Sequence, residues 1–93
     1  MIKSFKCKET EKIWNEEFSK KLHHDIQKRA LQKLRMLNAY SVLEDLKIPP
    51  INRLEILTGD RQGQYSIRIN AQFRICFRWL DNHSFDVEIV DYH

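Results

Sequence analysis

Glycine and proline are nearly missing, with two of each in 93 residues. A chain so poor in both is neither collagen-like nor a low-complexity linker, and nearly all of it is expected to be ordered. Cysteine is as scarce: Cys7 and Cys76 stand far apart, and neither belongs to a CxxC or CxxH pair. That usage argues against a disulfide scaffold and against a zinc site, and it suits a reducing cytosol. No apolar run approaches the roughly 18 residues of a membrane span. The opening MIKSFKCKETEK carries lysines where a signal peptide needs an apolar core, so the expected location is cytoplasmic, without a membrane partner. Lysine is absent after position 47, and the cations beyond residue 52 are all arginines: Arg53, Arg61, Arg68, Arg74 and Arg78. Lysine is a mobile point charge, whereas arginine's planar fork suits bidentate contact with phosphate or carboxylate. The division predicts a basic approach surface in the first half and fixed anion contacts in the second. The alternative is that lysines decorate helices and arginines pair with Asp60, Asp81, Asp86 and Glu88.

What is present is the composition of one globular domain, expected to span residues 1–93: 42 % hydrophobic, 31 % charged, net charge +3. Such a chain is long enough for one core. IKSF alternates apolar with polar and predicts an opening strand. From Glu9 the pattern turns helical, with Ile13, Trp14 and Phe18 on one side. A second helix is expected from about Asp25, where Ile26, Ala30, Leu34 and Leu37 form an apolar stripe and Lys28, Arg29, Lys33 and Arg35 occupy other positions. Its solvated side is therefore positive, a candidate surface for RNA phosphates. His23 and His24 are adjacent, point in different directions, and are read as surface residues rather than metal ligands.

Pro49 and Pro50 end the helical region, and beyond them the period becomes two. QYSIRIN sets Tyr65, Ile67 and Ile69 against Ser66, Arg68 and Asn70. FRICFRWL sets Phe73, Ile75, Phe77 and Trp79 against Arg74, Cys76 and Arg78, and FDVEIVDYH turns Phe85, Val87 and Ile89 inward. The fold class expected is α+β: an N-terminal strand and two helices packed on one face of a twisted, mainly antiparallel sheet of four to five strands. On that reading Arg68, Arg74 and Arg78 lie on the open face as a positive patch resembling a bed for a phosphate backbone.

The segment RLEILTGDRQGQYSIRINAQFRICFRW followed by VEIVDYH resembles the HigB branch of the RelE/ParE superfamily of type II toxins, and the similarity covers essentially the whole chain. The resemblance implies a RelE-like fold and a ribosome-dependent endoribonuclease that cuts messenger RNA in the A site. It also implies a helix-turn-helix antitoxin as partner, with DNA reached only through it. Carried over, the family's terminal acid, aromatic and histidine fall on Asp91, Tyr92 and His93, and its strand arginine falls on Arg74. One position departs: where some members have a histidine before the GDR loop, this chain has Glu55.

Cutting RNA through its own 2′-hydroxyl needs a base, a cation for the phosphoryl oxygens and an acid for the leaving 5′-oxygen. The assignment expected is Glu55 as base, Arg74 on the phosphate with Arg68 assisting, and His93 as acid. Tyr92 would stack on a base or bond the phosphate, and Asp91 would orient His93. No cofactor or metal is called for. The bland readings are a capped strand end for DYH, Arg74 pairing with Asp86 or Glu88, Arg68 holding the loop, and Asp60 pairing with Arg61. Competing functions are a ParE-like inhibitor of DNA gyrase that cuts nothing, or a weakly active member that binds ribosome or RNA.

Overall fold

The change of period after the prolines becomes a four-stranded antiparallel meander in the computed structural model, which describes residues 1–91. The strands are β1 (Glu55–Ile56), β2 (Tyr65–Arg68), β3 (Phe73–Leu80) and β4 (His83–Asp91), in the order β1-β2-β3-β4. The opening segment lies parallel to β4 through bridges Ile2 to Ser84 and Phe5 to Val87. Backbone bonds such as Lys3 N–H to Ser84 O at 2.8 Å and Val87 N–H to Ser4 O at 3.1 Å hold it there, so the expected first strand is an edge ribbon.

Helix α1 (Lys8–Trp14) is shorter than its apolar spacing suggested. Glu16 takes a left-handed conformation, φ 62°, its N–H bonds Ile13 O, and the Glu17 N–H bonds Lys12 O. That pair of bonds is a Schellman stop. Phe18, expected on the helical stripe, therefore lies beyond the helix and is 63 % exposed. Thr10 ties α1 to the sheet by accepting the Ile89 N–H at 2.9 Å. Helix α2 (His24–Ala39) buries the stripe Ile26, Ala30, Leu34 and Leu37 as its spacing requires. Each fully buried leucine there contributes about 1.5–3 kcal/mol.

The helices close one face of the sheet. Directly paired residues of an antiparallel sheet share a face, so the register Ile67–Ile75–Ile89 and Tyr65–Phe77 defines the helix side. Ile67, Ile75, Phe77 and Val87 join the helix stripe in one core. The other face carries Glu55, Ser66 and Cys76 in one row and Arg68, Arg74 and Val90 in the next. Between Cys76 and Arg78 the register slips by one residue: Cys76 faces Glu88, but Arg78 faces Phe85. Asp86 has φ 51° at this bulge. Phe85 consequently shares the face of Arg78 and stays out of the core, where simple alternation had placed it inward.

Between α2 and β1 the chain makes two short 3-10 turns, Leu43–Lys47 and Pro50–Asn52. Asn52 is fully buried and locks them, its amide donating to Leu46 O at 3.1 Å while its oxygen accepts from Lys33 Nζ at 2.6 Å. The next residue, Arg53, is left-handed at φ 45°, ψ 56°.

Candidate active site

On the face away from the helices Arg74 is 7 % exposed, which overturns the expectation of an open arginine bed. From β3 its side chain runs diagonally across β2 toward β1. Nε donates to Ser66 Oγ at 2.8 Å, and Nη2 donates to the carbonyl of Arg53 and, at 3.4 Å, to that of Ser66. Nη1 lies 3.6 Å from Glu55 Oε1. Glu55 stands directly opposite Ser66 in the ladder, and its side chain is half exposed. A small residue at 66 is what opens this path, since Ser66 lies between Glu55 and Cys76 on the same face.

The other arginines of the expected patch divide. Arg68 is the direct cross-strand neighbour of Arg74; it is half-buried and has no ion-pair partner among the described residues. Like charges directly opposed on a sheet repel, so this pairing concentrates positive potential beside Glu55. Arg78 lies beyond the bulge and pairs with Asp86 at 3.4 Å, both side chains about half exposed. Arg61 does not pair with Asp60 as the loop suggested. It donates to Glu88 Oε1 at 2.8 Å and to Gln64 Oε1 at 3.1 Å. Lys6 reaches the same carboxylate at 3.8 Å.

Cys76 is fully buried beneath this network, and burial pushes its thiol up from the ordinary range. Arg61 and Arg74 pull the other way, Glu88 adds to the rise, and the result is a packing residue rather than a nucleophile. Asp91, the last described residue of β4, is exposed, faces Phe73 and accepts from Gln72 Nε2 at 3.1 Å. It sits one register step from Arg74, so β4 ends at the same end of the sheet as the arginine pair. The roles expected for Tyr92 and His93 fall outside the described residues.

Beside this end of the sheet a cavity of about 350 Å³ separates the start of α2 from the β2–β3 turn. Asp25 and Arg29 line it from α2 and His23 from just before that helix, with Asn70 and Gln72 from the turn and Phe73 from the start of β3. Of the basic residues expected to meet phosphate, Lys28 and Arg29 are exposed, while Lys33 is half-buried and donates to Asn52. Burial, and then the nearby Arg29, lower the Lys33 pKa from the usual lysine range. Among the described residues no three His, Cys, Asp or Glu side chains cluster as metal ligands, and no helix is long and apolar enough to cross a membrane.

Glu55 and Arg74 are thus brought together, with Arg68 beside them; Lys28, Arg29 and Lys33 lie apart on α2. Ser66 and the Arg53 carbonyl were not singled out by sequence. A serine alternating with Arg68 on a strand otherwise built of large residues is the one local signal, and a backbone carbonyl carries none.

Residues 3–93 match the HigB-like toxin family, described as RelE-like toxin of type II toxin-antitoxin system HigB. The chain is 38 % identical over 82 residues to Toxin HigB-1 of Vibrio cholerae, covering 87 % of this chain and 86 % of that one. It is 28 % identical over 93 residues to Endoribonuclease HigB of Proteus vulgaris, with both chains covered in full. In fold it resembles a chain of the YoeB-YefM complex from Staphylococcus aureus, with a TM-score of 0.62 at 21 % identity over 100 % of this chain and 98 % of that one. The chain belongs to the HigB-like family of RelE-like toxins of type II toxin-antitoxin systems.

Proposed function

We propose that this toxin is an endoribonuclease that enters the ribosomal A site and cuts the message there. The observation that carries the reading is the Glu55–Arg74 pair, held on Ser66 with Arg68 directly opposite. The relative named Endoribonuclease HigB, which aligns over the whole chain, supports it.

In this mechanism Glu55 takes the proton of a ribose 2′-hydroxyl. The 2′-oxygen attacks the adjacent phosphorus, the P–O5′ bond breaks, and His93 gives its proton to the leaving 5′-oxygen. The products are a 2′,3′-cyclic phosphate and a 5′-hydroxyl end, and no step needs a metal. Charge gathering on the phosphoryl oxygens is met by a preorganised cation. Here the unequal burial of the two arginines redistributes the work. Arg74, with its fork engaged by the protein, supplies fixed charge beside Glu55, and Arg68 is the arginine that reaches the phosphate. Tyr92 stacks on the exposed base, and Asp91 at the end of β4 helps to orient the acid. Lys28 and Arg29 on α2 supply salt-dependent attraction to ribosomal RNA, with Lys33 contributing least because Asn52 holds it. A helix-turn-helix antitoxin restrains the activity in the cytoplasm, and DNA is reached only through that partner.

The test is primer extension on a message in a reconstituted translation system. Wild type should leave a ribosome-dependent stop that His93→Ala and Arg74→Ala each reduce by about two orders of magnitude. A wild type that makes no cut, yet inhibits supercoiling by gyrase, would overturn the nuclease in favour of a ParE-like inhibitor.

A further inference from the structure

Arg74 is too buried to be an ordinary substrate clamp and too well bonded to be a passive core residue. Its guanidinium plane is set by three contacts from one side of the site: Ser66 Oγ on Nε, and the carbonyls of Ser66 and Arg53 on Nη2. Two of these come from a residue that is fully buried. The third comes from Arg53, whose backbone is left-handed at φ 45° with no glycine to make that easy. A non-glycine residue in this region stores strain that the surrounding structure must impose. Here the imposing element is the buried Asn52 junction: the Arg53 N–H is bonded to Pro50 O at 3.1 Å, which turns the following carbonyl toward Arg74.

We propose that Ser66 is a positioning residue for the cleavage reaction: with the strained Arg53 carbonyl it forms a cradle that fixes the Arg74 guanidinium against Glu55 and beside Arg68. This rests on the nuclease reading above and adds a residue to it. The cradle matters because an arginine side chain has several rotatable bonds, and an unheld guanidinium would sample positions with its charge away from the reacting phosphate. Fixing three of its N–H groups before substrate arrives removes that reorganisation from the chemical step. Ser66 itself is buried and touches no substrate, so its effect is confined to catalysis through Arg74 and leaves binding unchanged.

The experiment is a double-mutant cycle read on the ribosome-dependent cut, combined with NMR of the arginine Nε–H groups in the whole protein. Ser66→Ala should lower kcat about tenfold, the value of one charge-assisted hydrogen bond, with KM within about twofold. In an Arg74→Ala background the same substitution should change kcat by less than about twofold, because the group it positions is gone. In wild type the Arg74 Nε–H should exchange with water more slowly than that of the exposed Arg35, and Ser66→Ala should abolish the difference. An equal loss of kcat in both backgrounds, a change confined to KM, or an Arg74 Nε–H that exchanges as fast as Arg35 in wild type would each overturn the proposal. Should wild type fail to cut RNA, the nuclease reading falls and takes the catalytic role of Ser66 with it. The wild-type exchange rate still decides separately whether the cradle holds Arg74.

Discussion

On the helix side of the sheet Ile67, Ile75, Phe77 and Val87 are fully shielded by apolar neighbours from α2 and the strands. On the opposite side Ser66 and Cys76 are fully buried and Arg74 nearly so, yet what surrounds them is polar: Glu55, Arg61, Glu88, Lys6 and two backbone carbonyls. The first face closes by non-directional burial, which tolerates some repacking. The second closes through directional contacts, each of which leaves a desolvated partner when broken. Alternation along a strand thus tells which side a residue takes and says little about whether that side meets water. The cleavage chemistry proposed above would sit on the polar face, where geometry is fixed most tightly, while stability is drawn mainly from the apolar one.

The comparison breaks most visibly at Phe77. Phe77→Ala should cost about 4 kcal/mol in chemical denaturation, by lost transfer energy and a residual cavity. Second comes Arg74→Ala, expected to cost about 3 kcal/mol because Ser66 Oγ and the Arg53 carbonyl lose their donor in a buried place. If Arg74→Ala were neutral in stability, the polar face would be held by something other than this fork.

How far these faces could be read from sequence differs residue by residue. The α2 stripe was legible because spacings of four, four and three on a helix leave Ile26, Ala30, Leu34 and Leu37 one place to go. Glu55 and Arg74 could be named as candidates from sequence, though their meeting depends on contacts up to 21 positions away, from Arg74 to the Arg53 carbonyl. No local pattern encodes that contact, so the arginine seemed exposed. Phe18 and Phe85 were misplaced for a shared reason: Glu16 and Asp86 adopt left-handed backbone without being glycine, so neither the helix stop nor the bulge carried its usual signature. Arg61 pairs with Glu88, 27 positions away, rather than its neighbour Asp60, because the loop folds back over β4.

The bulge offers a smaller test, since it decides on which face Phe85 lies. Asp86→Gly should relieve roughly 1 kcal/mol of left-handed strain while losing the half-exposed pair with Arg78, worth a few tenths. The net expectation is a rise in melting temperature of about 2–4 °C. Asp86→Val, β-branched and unsuited to positive φ, should lower it instead. Equal effects of the two substitutions would mean that the bulge does not depend on the backbone conformation of residue 86.

The smallest effect belongs to a polar contact at the edge of the helix layer, and it separates charge from shape. Glu9 accepts the Ser19 hydroxyl at 2.6 Å and lies 3.4 Å from Lys12. The Ser19 hydroxyl does most to hold its carboxyl below the usual range; desolvation, the next largest effect, opposes it, and Lys12 and then Lys21 add smaller lowering effects. A carboxyl depressed in the folded state stabilises the fold above its unfolded value, and that contribution disappears as pH falls through the lower folded value. Glu9→Gln keeps the size and loses the titration. Melting temperatures of wild type and variant should therefore differ at neutral pH and converge once acid has protonated Glu9 in both states. A gap that persists unchanged into acid would assign the contact to hydrogen-bond geometry, the same directional logic that closes the polar face of the sheet.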